Sequence, residues 1–177
     1  DFALRDTWVQ EHFPNNASGL SMKPVAETAS GPALIVLNSF DEVFQNEVPG
    51  KGLGIAGHKF AHGIYTHAPT RLRVHLPSPG RTFHATVGVL DNPASQGGSI
   101  VFSVIAGDKT VASSPTMHRG EAGAELTAAL GDATDFFLTL GDAGDGFISD
   151  QGVWGEAVMT LTNGQELRLG SMPLRDA

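Results

Sequence analysis

Cysteine is absent from this 177-residue chain, which excludes disulfides and thiolate metal sites. It leaves the compartment open, because an exported domain with an adequate core also manages without bridges. Aromatic residues are scarce, with one Tyr and two Trp beside ten Phe. Cations are scarce too: 11 Lys and Arg against 19 Asp and Glu give a net charge of -8 and a pI near 5.2. The basic residues are scattered, so no phosphate-backbone partner is expected. No apolar run approaches the ~18 residues of a membrane span, and residues 1–12 lack the basic start and apolar middle of an export signal.

What the chain does have is glycine and proline, 22 and 10 residues, set between short segments rich in Val, Ile, Leu, Phe and Thr. That pattern predicts an all-β fold, a sandwich or jelly roll with tight turns. One domain over residues 1–177 is expected, since a chain of this length buries roughly 70% of its unfolded surface.

The alternation is clearest over Thr70–Leu76, where Leu72, Val74 and Leu76 oppose Arg71, Arg73 and His75. It recurs in Phe83, Ala85, Val87 and Val89, and in Ile100, Phe102 and Val104. Ala33–Leu37 reads as a buried strand. Ala106–Lys109 reads as a hairpin turn, and so does Thr162–Gln165 with its Asn-Gly. Leu126–Leu130 and Asp135–Leu140 flank a turn at Gly131-Asp132. Ser39-Phe40-Asp41-Glu42 has the spacing of a capping box, and with Val43 and Phe44 predicts one short helix near residues 40–47. Before it, Leu4 and Trp8 have helical spacing, a brief strand is expected over Met22–Ala26, and Asn16-Ala17-Ser18 matches a glycosylation acceptor read as a surface turn. Gly52-Leu53-Gly54-Ile55-Ala56-Gly57 spells a dinucleotide-binding pattern, but no helix opens on it, so no nucleotide site is expected.

Leu53-Gly54-Ile55 through Tyr65-Thr66-His67-Ala68, Phe83–Val89, Gly98–Val104, and Asp150 four before Trp154 resemble successive blocks of the NPCBM domain. This is the family 51 type of carbohydrate-binding module. The blocks span about Lys51–Leu161, and residues 1–50 depart from the pattern, with Trp8 the candidate for the family's opening Trp. The resemblance implies a non-catalytic β-sandwich, galactose-type glycan termini as ligand, a covalently linked glycoside hydrolase, and an extracellular or periplasmic location in a bacterium.

A sugar site needs an apolar face for the ring and polar groups for the hydroxyls. The candidate platforms are Trp154, Tyr65, Trp8 and Phe147. Tyr65, His67, Asp150 and Trp154 are expected to form the carbohydrate site, His67 and Asp150 exchanging hydrogen bonds with hydroxyls and Trp154 forming a wall. The alternative is that His67 ties loops together, Asp150 braces a loop and Trp154 belongs to the core. Asp142 and Asp145, on an Asp- and Gly-rich loop with Asp150, are candidate ligands for a structural Ca2+, against the reading of an ordinary turn. Asp91 and Asn92 are alternative oxygen donors. No catalytic constellation stands out: His58 and His62 lack the Glu of a zinc-protease motif, and no nucleophile elbow is present. A protein-docking sandwich and a small glycoside hydrolase are the two rival functions.

Overall fold

A computed structural model describes residues 31–177. The readings made for Leu4, Trp8, Asn16–Ser18 and Met22–Ala26 lie outside the described residues, as does part of the span assigned to one domain.

The chain begins with β1 (Ala33–Ser39), β2 (Phe44–Gln45), β3 (Leu53–Ile55), β4 (His58–Phe60) and β5 (Gly63–His67). There follow β6 (Thr70–His75), β7 (Gly80–Val89), β8 (Ser99–Ala106), β9 (Lys109–Ser113) and β10 (Met117–His118). It ends with β11 (Ala124–Ala129), β12 (Asp135–Gly141), β13 (Gln151–Leu161), β14 (Glu166–Arg168) and β15 (Leu174–Asp176). Two sheets result. One runs β10-β8-β12-β6-β1-β15 with β9 beside β8, and the other β11-β7-β13-β5-β2 with β14 beside β13. This is the all-β sandwich that the alternation predicts.

The core lies between the sheets. Leu72, Val74, Phe102, Val104, Phe136 and Leu138 from one face Phe83, Ala85, Val87, Trp154 and Met159 from the other, as inward positions of paired sheets do. A second cluster forms on the outer face of the β5–β13 region. Leu53, Ile55 and Phe60 of the β3–β4 hairpin pack there on Tyr65, Leu90 and Val153. The Gly52–Gly57 segment is that hairpin: Ala56 and Gly57 both take positive φ, 47° and 82°, the two-residue primed turn whose twist matches its strands. Its glycines serve a turn, not a pyrophosphate.

The hairpin seats closely because β7 carries Gly88 beneath it. A Cβ at Gly88 would stand 2.6 Å from Cγ2 of Ile55. Gly88→Val is therefore expected to destabilise the domain by about 1–3 kcal/mol through overpacking, measured by urea unfolding. An unchanged midpoint would mean that the hairpin is not seated on this face.

The helix expected over residues 40–47 does not form. Ser39 Oγ donates to the Asp41 carbonyl at 2.6 Å rather than capping a turn. Phe44 and Gln45 pair with Tyr65 and Ile64 of β5, and Asn46 turns the chain with φ 63°. Phe40, Val43 and Phe44, which share one face in a helix, go three ways: Phe40 to solvent, Val43 to the main core and Phe44 to the second cluster. Sheet pairing outweighs a local capping signal here.

Candidate functional site

Strand register gathers four loops at one end of the sandwich. Ser39 and Leu140 both pair with Thr70, Gly141 with Val101, Gln151 with His67 and Gly152 with Val89. Residues 40–43, 68–69, 90–98 and 142–150 therefore emerge side by side.

Against this end, on the outer face of the second sheet, lies a cavity of about 240 Å³ lined by Asp41, Phe44, Val48, Pro49, Lys51, Tyr65, Leu90, Asn92 and Gln151. It is smaller than the roughly 300–1,000 Å³ of sites for drug-sized ligands, the scale of one sugar ring. Phe44, Val48, Pro49 and Leu90 supply apolar walls. The Tyr65 hydroxyl donates to Asp41 Oδ2 at 3.1 Å. Burial, then the Asp41 carboxylate, pushes the Tyr65 phenol well above its ordinary pKa, so it remains a donor. Asn92 Nδ2 and Ser95 Oγ donate to Gln151 Oε1 at 2.6 and 3.0 Å. With its oxygen so engaged, Gln151 keeps its amide N–H groups without an acceptor among the described residues. The cavity thus joins a carboxylate, a free amide and an ammonium to apolar walls.

Of the residues expected to form the carbohydrate site, Tyr65 alone lines this cavity; Asn92, weighed in the sequence only as an alternative oxygen donor for a cation, lines it too. His67 shares the outer face with Tyr65 and Gln151, with Nδ1 2.8 Å from the Ala68 carbonyl oxygen and its ring against Phe40. Trp154 does not line the cavity. It is 1% exposed, packs edge-on against Phe102 at 4.9 Å and donates Nε1–H to Thr66 Oγ1. Alternation explains the separation, because Trp154 pairs with Ile64 and shares its inward face, opposite Tyr65 and His67.

Asp150 does not line the cavity either. It is wholly buried, accepting the Ser99 N–H on Oδ1 at 3.0 Å, while its backbone carbonyl accepts the Ala68 N–H. It braces two loops, and Oδ2 has no hydrogen-bond partner. Burial pushes its pKa up to about 6, against the Ser99 amide hydrogen bond and with repulsion from Asp145 adding to the rise.

Asp142 Oδ1 accepts the Gly144 N–H and Asp145 Oδ2 accepts the Ser99 hydroxyl. Among the described residues no three His, Asp or Glu side chains stand close enough to share a metal ion. Asp41, Lys51 and Gln151 were not singled out by the sequence. For Gln151 the signal was its place beside Asp150 at the start of a strand; for Asp41 it was masked by the apparent capping box.

The two-sheet sandwich with a polar cavity beside its loop end, taken with a family match, defines a non-catalytic binding module of the carbohydrate-binding class. The model of the NPCBM/NEW2 domain matches residues 14–160, so the chain belongs to that family. The match begins well ahead of the blocks that start at Lys51, so part of the N-terminal region is included. None of the curated proteins matches the chain. Among solved structures, the M60 catalytic domain with the CBM51-1 and CBM51-2 domains of Clostridium perfringens ZmpB is 22% identical, with a TM-score of 0.62 over 71% of this chain and 14% of that one. CBM51-2 with GlcNAc and INT domains of the same protein is 19% identical, with a TM-score of 0.60 over 75% and 28%. CBM51 from Clostridium perfringens GH95, in complex with methyl-galactose, is 22% identical, with a TM-score of 0.59 over 71% and 92%. These likenesses carry the fold. The chain spans under a third of the two ZmpB structures. Among the described residues no helix is long and apolar enough to cross a membrane.

Proposed function

We propose that the Tyr65–Gln151 cavity binds a galactose-type glycan terminus, and that the module holds an attached glycoside hydrolase near its substrate outside the cytoplasm. The cavity itself carries the reading: its volume suits one ring, the Gln151 N–H groups and the Asp41 carboxylate are placed for hydroxyls, and Phe44 and Pro49 offer apolar surface to the C–H face. Family membership supports it, as do the methyl-galactose complex of the GH95 module and the catalytic domain joined to the ZmpB modules. A site this small binds weakly, and tethering to an enzyme supplies the effective concentration.

The test is a glycan array followed by calorimetric titration of methyl β-galactoside. Gln151→Ala and Asp41→Ala are each expected to weaken binding at least tenfold, roughly the loss of one hydrogen bond to a charged or buried partner. A folded protein that binds no glycan, or whose binding ignores both substitutions, refutes it. The calcium expected at Asp142 and Asp145 is a separate proposal. Most of its six to eight oxygens would come from carbonyls and water, and identical unfolding curves in Ca2+ and in EDTA would remove it.

A further inference from the structure

Phe40 and Phe147 are 57% and 42% exposed, and Ile148 beside them 81%. These side chains come from two of the gathered loops. The Phe40 and Phe147 rings nevertheless meet, centroids 4.8 Å apart and tilted by 48°. On its other side Phe40 rests on the buried His67 ring at 4.7 Å, so the exposed pair has a fixed base. Three of the six large apolar side chains exposed among the described residues are concentrated here, and stability gives no reason to gather them in water. The platform adjoins the cavity through the chain and through the sheet. Phe40 precedes Asp41, which lines the cavity, and His67 is the register partner of Gln151, which lines it too.

We propose that the Phe40–Phe147 platform is a second subsite, taking the apolar face of the sugar ring next to the terminal one in a neutral glycan. It rests on the terminal-sugar reading of the cavity and extends it from one ring to two. An exposed aromatic face gives a pyranose an apolar surface to lie on, a gain of about two- to tenfold in affinity if it matches other aromatic stacking contacts. Asp41, Asp142 and Asp145 lie on the same two loops as Phe40 and Phe147, and their charge disfavours an anionic ring at that end of the sandwich. The platform therefore selects neutral sugars.

The test compares methyl β-galactoside with the disaccharide N-acetyllactosamine by calorimetry. The native protein is expected to bind the disaccharide about two to ten times more tightly. Phe147→Ala should bring the ratio to about one, Phe147→Tyr should keep it, and unchanged melting temperatures should show that both variants fold. A 6-sulfated GlcNAc in the same disaccharide should bind more weakly, and the loss should shrink in high salt. A native ratio of one, or a ratio that survives both Phe40→Ala and Phe147→Ala, overturns the subsite while leaving the cavity reading intact. Failure of the folded native protein to bind either sugar overturns both. Self-association abolished by Phe40→Ala, with a native ratio of one, would make the patch an interface between copies and overturn the subsite.

Discussion

Trp154→Ala is expected to lower folding stability by about 3–5 kcal/mol, the loss seen when a large aromatic side chain leaves a close-packed core. Three features set the size of the effect. The indole touches two aromatic neighbours, Phe102 at 4.9 Å and Phe83 at 6.1 Å. It sits in the centre of the second sheet, between the β5 and β7 partners of β13. Its Nε1–H satisfies the Thr66 hydroxyl at 3.2 Å, which would otherwise lose a buried partner. Trp154→Phe refills part of the volume and should recover part of the loss. Urea unfolding measures both. Below the transition, Trp154→Ala should still bind whatever the native domain binds, because no face of the indole reaches solvent. Unchanged stability with lost glycan binding would instead put the ring at the ligand.

Trp154 is singled out in the sequence as a scarce aromatic four residues after Asp150, and the alternation along its own strand does not reveal that it lies in the core. Ala157, Met159 and Leu161 face inward, and stepping back by twos from Ala157 brings Val153 inward and Trp154 outward. The strand, however, slips register between Gly155 and Val158 against β7, where Glu156 takes φ 45°. A one-residue bulge inverts the parity of everything beyond it. Glu156 is held there by its N–H to the His62 carbonyl at 2.8 Å and by Arg168 on its carboxylate at 2.9 Å. None of those partners is near it in sequence, so the inversion leaves no local mark.

The strands that show plainly in the sequence are those with one face in the core and the other in water, such as β6, where Leu72 and Val74 alternate with exposed Arg71 and Arg73. β5 does not alternate, since all five of its residues are buried. One of its faces meets the main core and the other the β3–β4 hairpin. A strand covered on both sides loses the period-two signal. The same cover explains the site. Tyr65 and Gln151 flank a cavity that exists only because residues 44–51 fold back over β5, and no spacing along the chain encodes that return. Phe147 was legible as an aromatic on a polar loop. Phe40 was not, because its place in an apparent capping box assigned it to a helix face.

Asp150→Asn is expected to stabilise the domain at neutral pH and to be nearly neutral near pH 4. The folded carboxyl titrates at about 6, above its ordinary 3.8, chiefly because burial penalises the charged form. Between those values the folded state therefore holds more protons at this site than the unfolded state, and stability from this group falls as pH rises. Above pH 6 the penalty is fully developed. An asparagine keeps an oxygen to accept the Ser99 N–H and carries no charge beside Asp145, so it escapes the penalty. The measurement is thermal unfolding in EDTA from pH 4 to 7.5, taken as the difference between variant and native protein, so that carboxylates common to both cancel. The difference should be close to zero at pH 4 and reach several degrees by pH 7. An equal difference at both ends, or a less stable variant at pH 7.5, would show that Asp150 does not carry this strain. Repeating the scan in Ca2+ asks whether the unpartnered Oδ2 has a cation to meet. If native protein alone gains, and Asp145→Asn removes the gain, the strain is relieved by an ion. If the curves coincide, the buried charge is offset by the loop contacts it braces.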